Sequence, residues 1–111
     1  MSPDINTAVE TFFLQSKHKQ YKKGETILNP DDVIQNAYYI KEGYVKAFSL
    51  SPEGVELTIH LFAPHAYFPM MSVLSDLPNR YYYEALVDTE VYIASKESVA
   101  SFLQSNPGVL S

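Results

Sequence analysis

The chain has 111 residues, 46% of them hydrophobic, and 13 acidic residues outnumber eight basic ones for a net charge of −5. That length makes one domain able to bury its own core, and the absence of cysteine excludes disulfides, thiolate-held iron–sulfur clusters and sulfur-built zinc sites. The acid excess argues against a nucleic-acid surface, which needs a basic face to release phosphate counterions. Nine tyrosines, six phenylalanines and seven prolines favour β structure over a helix bundle. Met1-Ser2-Pro3-Asp4 has no basic region with an apolar run behind it, so no signal peptide is expected. No apolar stretch approaches the length of a membrane span, and a cytoplasmic location without membrane contact is expected.

Residues 4–16 place Ile5, Val9, Phe12 and Phe13 at helical spacing behind Asp4, a residue suited to capping. The one basic cluster, Lys17-His18-Lys19-Gln20-Tyr21-Lys22-Lys23, follows between two predicted elements. It reads as a solvated strand edge guarded by lysines rather than a nucleic-acid patch, because no opposing basic face exists. From about residue 20 to 95 the pattern becomes short β runs. Tyr38-Tyr39-Ile40 and Tyr44 to Leu50 flank Lys41-Glu42-Gly43. Ser51-Pro52-Glu53-Gly54 fits a type I turn. Val55, Leu57, Ile59 and Leu61 alternate with Glu56, Thr58, His60 and Phe62, which predicts a strand with the first set in the core and His60 on the other face. Tyr81 to Val87 and Glu90 to Ala94 read as two more strands, joined at Asp88-Thr89. Ser95 caps a predicted helix over about 96–105, broken by Asn106-Pro107-Gly108. These elements suggest a mainly β fold with flanking helices, a jelly-roll barrel of the double-stranded β-helix type.

Gly24-Glu25-x-Ile27, Asp32, Tyr38-Tyr39-Ile40-x-x-Gly43-x-Val45 and Gly54 resemble the cyclic-nucleotide-binding domain. More closely, they resemble the N-terminal sensor domain of Crp/Fnr-type bacterial transcription regulators, over roughly residues 12–110. The resemblance implies a single effector-sensing barrel over residues 1–111, with a dimerisation helix and a helix-turn-helix domain lying beyond this chain. It further implies that DNA is contacted only through that other domain, that the full-length protein is a homodimer, and that the function is regulatory rather than enzymatic.

In that family a glycine and the backbone after it cradle a phosphate, a glutamate takes the ribose hydroxyl, and an arginine pairs with the phosphate. Where the family signature runs Gly-Asp-x-x-Gly-Glu-Leu, His65-Ala66 stand for the Gly-Asp, Pro69 for the second glycine and Met70 for the glutamate. Counted back from Ala85, Asn79 takes the arginine position and Arg80 the next, so a one-residue shift restores Arg80 to the role. Pro69 has no N–H to donate. The fold is therefore expected to carry over without tight cyclic-nucleotide binding, and the effector, if any, is another small molecule. Candidate pocket residues are Phe68, Pro69, Met70, Met71, Asn79, Arg80, Tyr81 and Tyr83. Against this, the methionines and tyrosines simply fill the space of a lost ligand, and Arg80, the only arginine, pairs with Glu84 or Asp76 on the surface. Three alternatives stand beside the sensor reading: cyclic-nucleotide binding retained through Arg80, a non-enzymatic interaction module, and, least favoured, a metal-dependent cupin enzyme. The last needs converging histidines, whereas His18, His60 and His65 are scattered and form no His-x-His pair. No catalytic triad or phosphate loop is recognisable, and no cofactor is expected.

Overall fold

Val9 and Phe13 lie one turn apart and both are buried, so the helix Ile5–Leu14 (α1) packs its apolar stripe on the barrel. The computed structural model describes residues 5–110, without the side chains of Met71 and Leu110. The expected cap at Asp4 lies outside the described residues.

Eight strands follow: β1 (Lys17–Tyr21), β2 (Thr26–Leu28), β3 (Asn36–Glu42), β4 (Val45–Leu50), β5 (Glu56–Phe62), β6 (Tyr67–Phe68), β7 (Tyr82–Ala85) and β8 (Thr89–Ser95). A short helix, α2 (Met70–Ser75), precedes β7, and α3 (Lys96–Ser105) follows β8. One antiparallel sheet runs in the order β1-β8-β3-β6 and the other β2-β7-β4-β5, the two-sheet jelly roll expected. The barrel begins three residues earlier than expected, because the lysine-rich segment is itself β1. It forms one edge of its sheet, with Lys17 to Gln20 exposed. Lysines on an edge discourage pairing with other chains. Gly54, at φ 83°, closes the β4–β5 turn by donating its N–H to the Ser51 carbonyl at 2.8 Å. Ser95 caps α3 as expected, its hydroxyl accepting from the Ser98 N–H at 3.0 Å.

The core is aromatic. Phe68, only 1% exposed, stacks between Tyr38 and Tyr83, with ring centroids 5.2 and 5.0 Å away. Tyr38 belongs to one sheet and Tyr83 to the other, so the three rings join both layers.

The expectation for β5 is overturned. Val55, Leu57, Ile59 and Leu61 are 65, 63, 44 and 60% exposed. Two causes act together. β5 is the outer strand of its sheet, paired only with β4. The register also slips: Ala47 faces His60 but Phe48 faces Thr58, which leaves Ile59 as an extra residue. Such a bulge reverses the alternation along the strand. Cross-strand partners share a face, so Phe62, opposite buried Val45, turns inward, while Leu61 shares the outer face with Lys46; His60 stays exposed, off the core as expected.

α1 is tied to the barrel by a polar junction. The Tyr39 hydroxyl donates to the Glu10 carboxylate at 2.6 Å and lies 2.8 Å from His65 Nδ1. A phenol has one hydrogen, and Glu10 takes it, so the His65 Nδ1–H must be the donor in the second contact. Burial pushes the Tyr39 hydroxyl well above its usual pKa, and the Glu10 hydrogen bond and charge add to this. The same Tyr39 hydrogen bond holds the Glu10 carboxyl below its ordinary value of 4.5 against partial desolvation, helped by the charges of Lys41 and His65. A depressed carboxylate stabilises the fold above its unfolded pKa and loses that contribution as pH falls through its folded value. Tyr39→Phe is therefore expected to destabilise the domain at neutral pH, with the gap to the wild type narrowing as pH drops below 4.5. Urea denaturation at several pH values measures this. A gap unchanged into acid would count against the junction.

Candidate functional site

The cleft is made by a chain reversal. β6 ends at Phe68, Pro69 opens α2, and Asp76 ends it in the left-handed conformation at φ 56°. The chain then returns through Leu77, Pro78, Asn79 and Arg80 into β7. Between these segments and the end of β5 lies a cleft of about 440 Å³. Of the expected pocket residues, Pro69, Met70, Asn79, Arg80, Tyr81 and Tyr83 line it. Phe68 does not; it belongs to the core stack. The Met71 side chain lies outside what the structure describes.

Five further residues line the cleft: Phe62, Tyr67, Ser72, Leu77 and Pro78. Phe62 was the hardest to foresee, since unbroken alternation along β5 puts it on the wrong face. Ser72, Leu77 and Pro78 lie within the segment between the expected positions and carry no chemical signal of their own.

Asn79 is 3% exposed, and both its side-chain N–H donors and its oxygen are engaged. Its Nδ2 donates to the carbonyls of Asn29 and Tyr81, both at 2.8 Å, and its Oδ1 accepts from the Tyr81 N–H at 3.2 Å. The Asn79 carbonyl also accepts from the Asp31 N–H at 2.8 Å. Asn79 thus pins the floor of the cleft to the Asn29–Asp31 turn and offers a ligand little.

Arg80 differs. It is exposed, and among the described residues it makes no ion pair or hydrogen bond. The surface pairings expected for it are not made: Asp76 pairs with Lys96 instead, and Glu84 does not reach it. Among the described residues no aspartate or glutamate lines the cleft. Ser72 is 5% exposed, and its hydroxyl makes no hydrogen bond among the described residues. Since no fully buried side-chain polar atom lacks a partner, that hydroxyl opens onto the cleft. Burial raises the Tyr83 pKa, with the Tyr81 charge adding, so its hydroxyl stays protonated at neutral pH.

The histidines do not converge. His18 sits beside Glu90 at 3.5 Å, His60 against Phe62, and His65 in the α1 junction. Among the described residues no group of three or more acidic or histidine side chains is placed to hold a metal ion.

The family model described as cyclic nucleotide-binding domain matches residues 18–106. The chain belongs to that family. Among curated proteins, the global nitrogen regulator of Nostoc sp. is 28% identical over 89 residues, which is 78% of this chain and 40% of that protein. The global nitrogen regulator of Synechococcus elongatus is 29% identical over 77 residues, 69% of this chain and 35% of that protein. The chain thus spans about two fifths or less of the curated relatives it matches, and these are Crp/Fnr-type regulators. Among solved structures, the catabolite activator protein of Thermus thermophilus superposes with a TM-score of 0.83 at 24% identity, over 99% of this chain and 50% of that one. The sensor domain of the transcriptional regulator DNR from Pseudomonas aeruginosa gives 0.80 at 22% identity, over 94% of this chain and 70% of that one. These likenesses establish the jelly-roll fold of the family. No helix among the described residues is long and apolar enough to cross a membrane.

Proposed function

We propose that this chain is the effector-sensing domain of a Crp/Fnr-like transcription regulator, and that its cleft does not bind cyclic nucleotides tightly. The supporting observation is the state of the phosphate cradle. Pro69 has no N–H to offer at the loop, and Met70 stands where the family resemblance places a carboxylate. The amide of Asn79 is spent on the Asn29 and Tyr81 backbone. A cyclic nucleotide entering here finds an aromatic slot that lacks the Pro69 N–H for its phosphate and a carboxylate for its ribose.

The domain works by bias rather than by chemistry. An effector that binds one arrangement of the full-length dimer better shifts it by that difference in affinity. DNA contact belongs to a separate domain of a cytoplasmic homodimer, so this chain alone is expected to give no sequence-selective retardation of mixed duplex DNA in a gel-shift at moderate salt.

Calorimetry with cyclic AMP and cyclic GMP tests the reading. Binding absent or in the millimolar range is expected. Binding of either at micromolar strength or tighter would show that the cradle still works, through Arg80 or otherwise.

A further inference from the structure

We propose that the cleft takes a flat, mainly apolar monoanion, an aromatic body carrying one carboxylate, as its ligand class. The assignment rests on the effector-sensing reading above. Three observations converge on it. Four rings, Phe62, Tyr67, Tyr81 and Tyr83, line the cleft and offer faces and edges to a planar body. One guanidinium, Arg80, stands at the cleft without any partner among the described residues. Its planar fork matches a carboxylate. The Ser72 hydroxyl, in a residue 5% exposed, opens onto the same cleft unpaired. A hydroxyl so placed favours a polar substituent over a wholly apolar ligand.

Charge counting sets the valence. Among the described residues, Arg80 is the only cation lining the cleft, and no carboxylate lines it. A single negative charge is therefore matched by Arg80, whereas the second charge of a dianion finds no cation in the described lining. The volume of about 440 Å³ accommodates a ligand of this kind and lies in the ordinary range for small-molecule sites.

The test titrates the 111-residue chain with 2-naphthoate, with the neutral isostere 2-naphthamide and with cyclic AMP, following tyrosine fluorescence and heat. Naphthoate is expected to bind about tenfold or more tightly than naphthamide. Arg80→Gln is expected to abolish that preference while leaving the melting temperature unchanged, since the side chain is exposed and unpaired. Lys23→Gln, a charge change outside the cleft, keeps the preference. Equal binding of the two naphthalenes to the wild type overturns the monoanion assignment, as does the absence of binding by either, or a preference that survives Arg80→Gln. Micromolar cyclic AMP binding overturns instead the reading on which the assignment rests. Weak cyclic AMP binding with equal naphthalene binding removes the assignment alone.

Discussion

Phe68→Ala is expected to cost about 3–5 kcal/mol of folding stability, the range for deleting a buried aromatic ring. In a domain of this size that is a fall of about 10 °C or more in melting temperature. Phe68 is 1% exposed and touches three other rings, Tyr38, Tyr83 and Phe62, drawn from both sheets. Its loss leaves a cavity where an aromatic stack joins the two layers. The cavity adjoins Tyr83 and Phe62, so the cleft wall is expected to loosen together with the core. Guanidinium denaturation gives the cost. A loss under about 1 kcal/mol would mean the barrel repacks around the gap. Phe102→Ala serves as the comparison, because Phe102 is only partly buried and stacks on Phe12 at the helix surface.

Gly43→Ala is the second large effect. Gly43 has φ 103°, a conformation that costs any other residue about 1–3 kcal/mol. A Cβ there would also sit 2.7 Å from the Thr89 Cα and 2.8 Å from its Cβ. Thr89 cannot step aside cheaply. It is 2% exposed, and its hydroxyl donates to the Val87 carbonyl at 2.8 Å. Overpacking adds about 1–3 kcal/mol, and the sum of about 2–6 kcal/mol approaches the whole stability of a small domain. Gly54→Ala separates the two terms. Gly54 has φ 83° but nothing within 4 Å of the added carbon, so only the backbone cost remains. Equal losses at the two glycines, read by urea denaturation, would show that contact with Thr89 contributes nothing.

Much of this fold was readable from the residues. Helical spacing of Val9 and Phe13, the Ser95 cap and the Gly54 turn are local signals, and local physics decides them. The β5 strand was readable as a strand but not as to what it faces. Alternation records a periodic pattern of side chains, whereas the bulge at Ile59 and the absence of an outer neighbour depend on partners distant in sequence. The cleft divides in the same way. Pro69, Met70 and Arg80 were identifiable because their chemistry departs from the family's pattern. The Lys96 ammonium that takes Asp76 away from Arg80 comes from α3, twenty residues along the chain, and no spacing rule announces it. Phe68 and Met70, two residues apart, separate into core and cleft because the chain turns from β6 into α2 between them.

The engaged amide of Asn79 also bears on which substitutions this cleft tolerates. An arginine at that position would forfeit three hydrogen bonds that fasten the floor to the Asn29 and Tyr81 backbone. It would bring a long cation into a site that is 3% exposed. A guanidinium at 79 is therefore tolerated only once the Asn29 turn has another anchor, so the position of this one side chain sets where along the return segment a cation can stand.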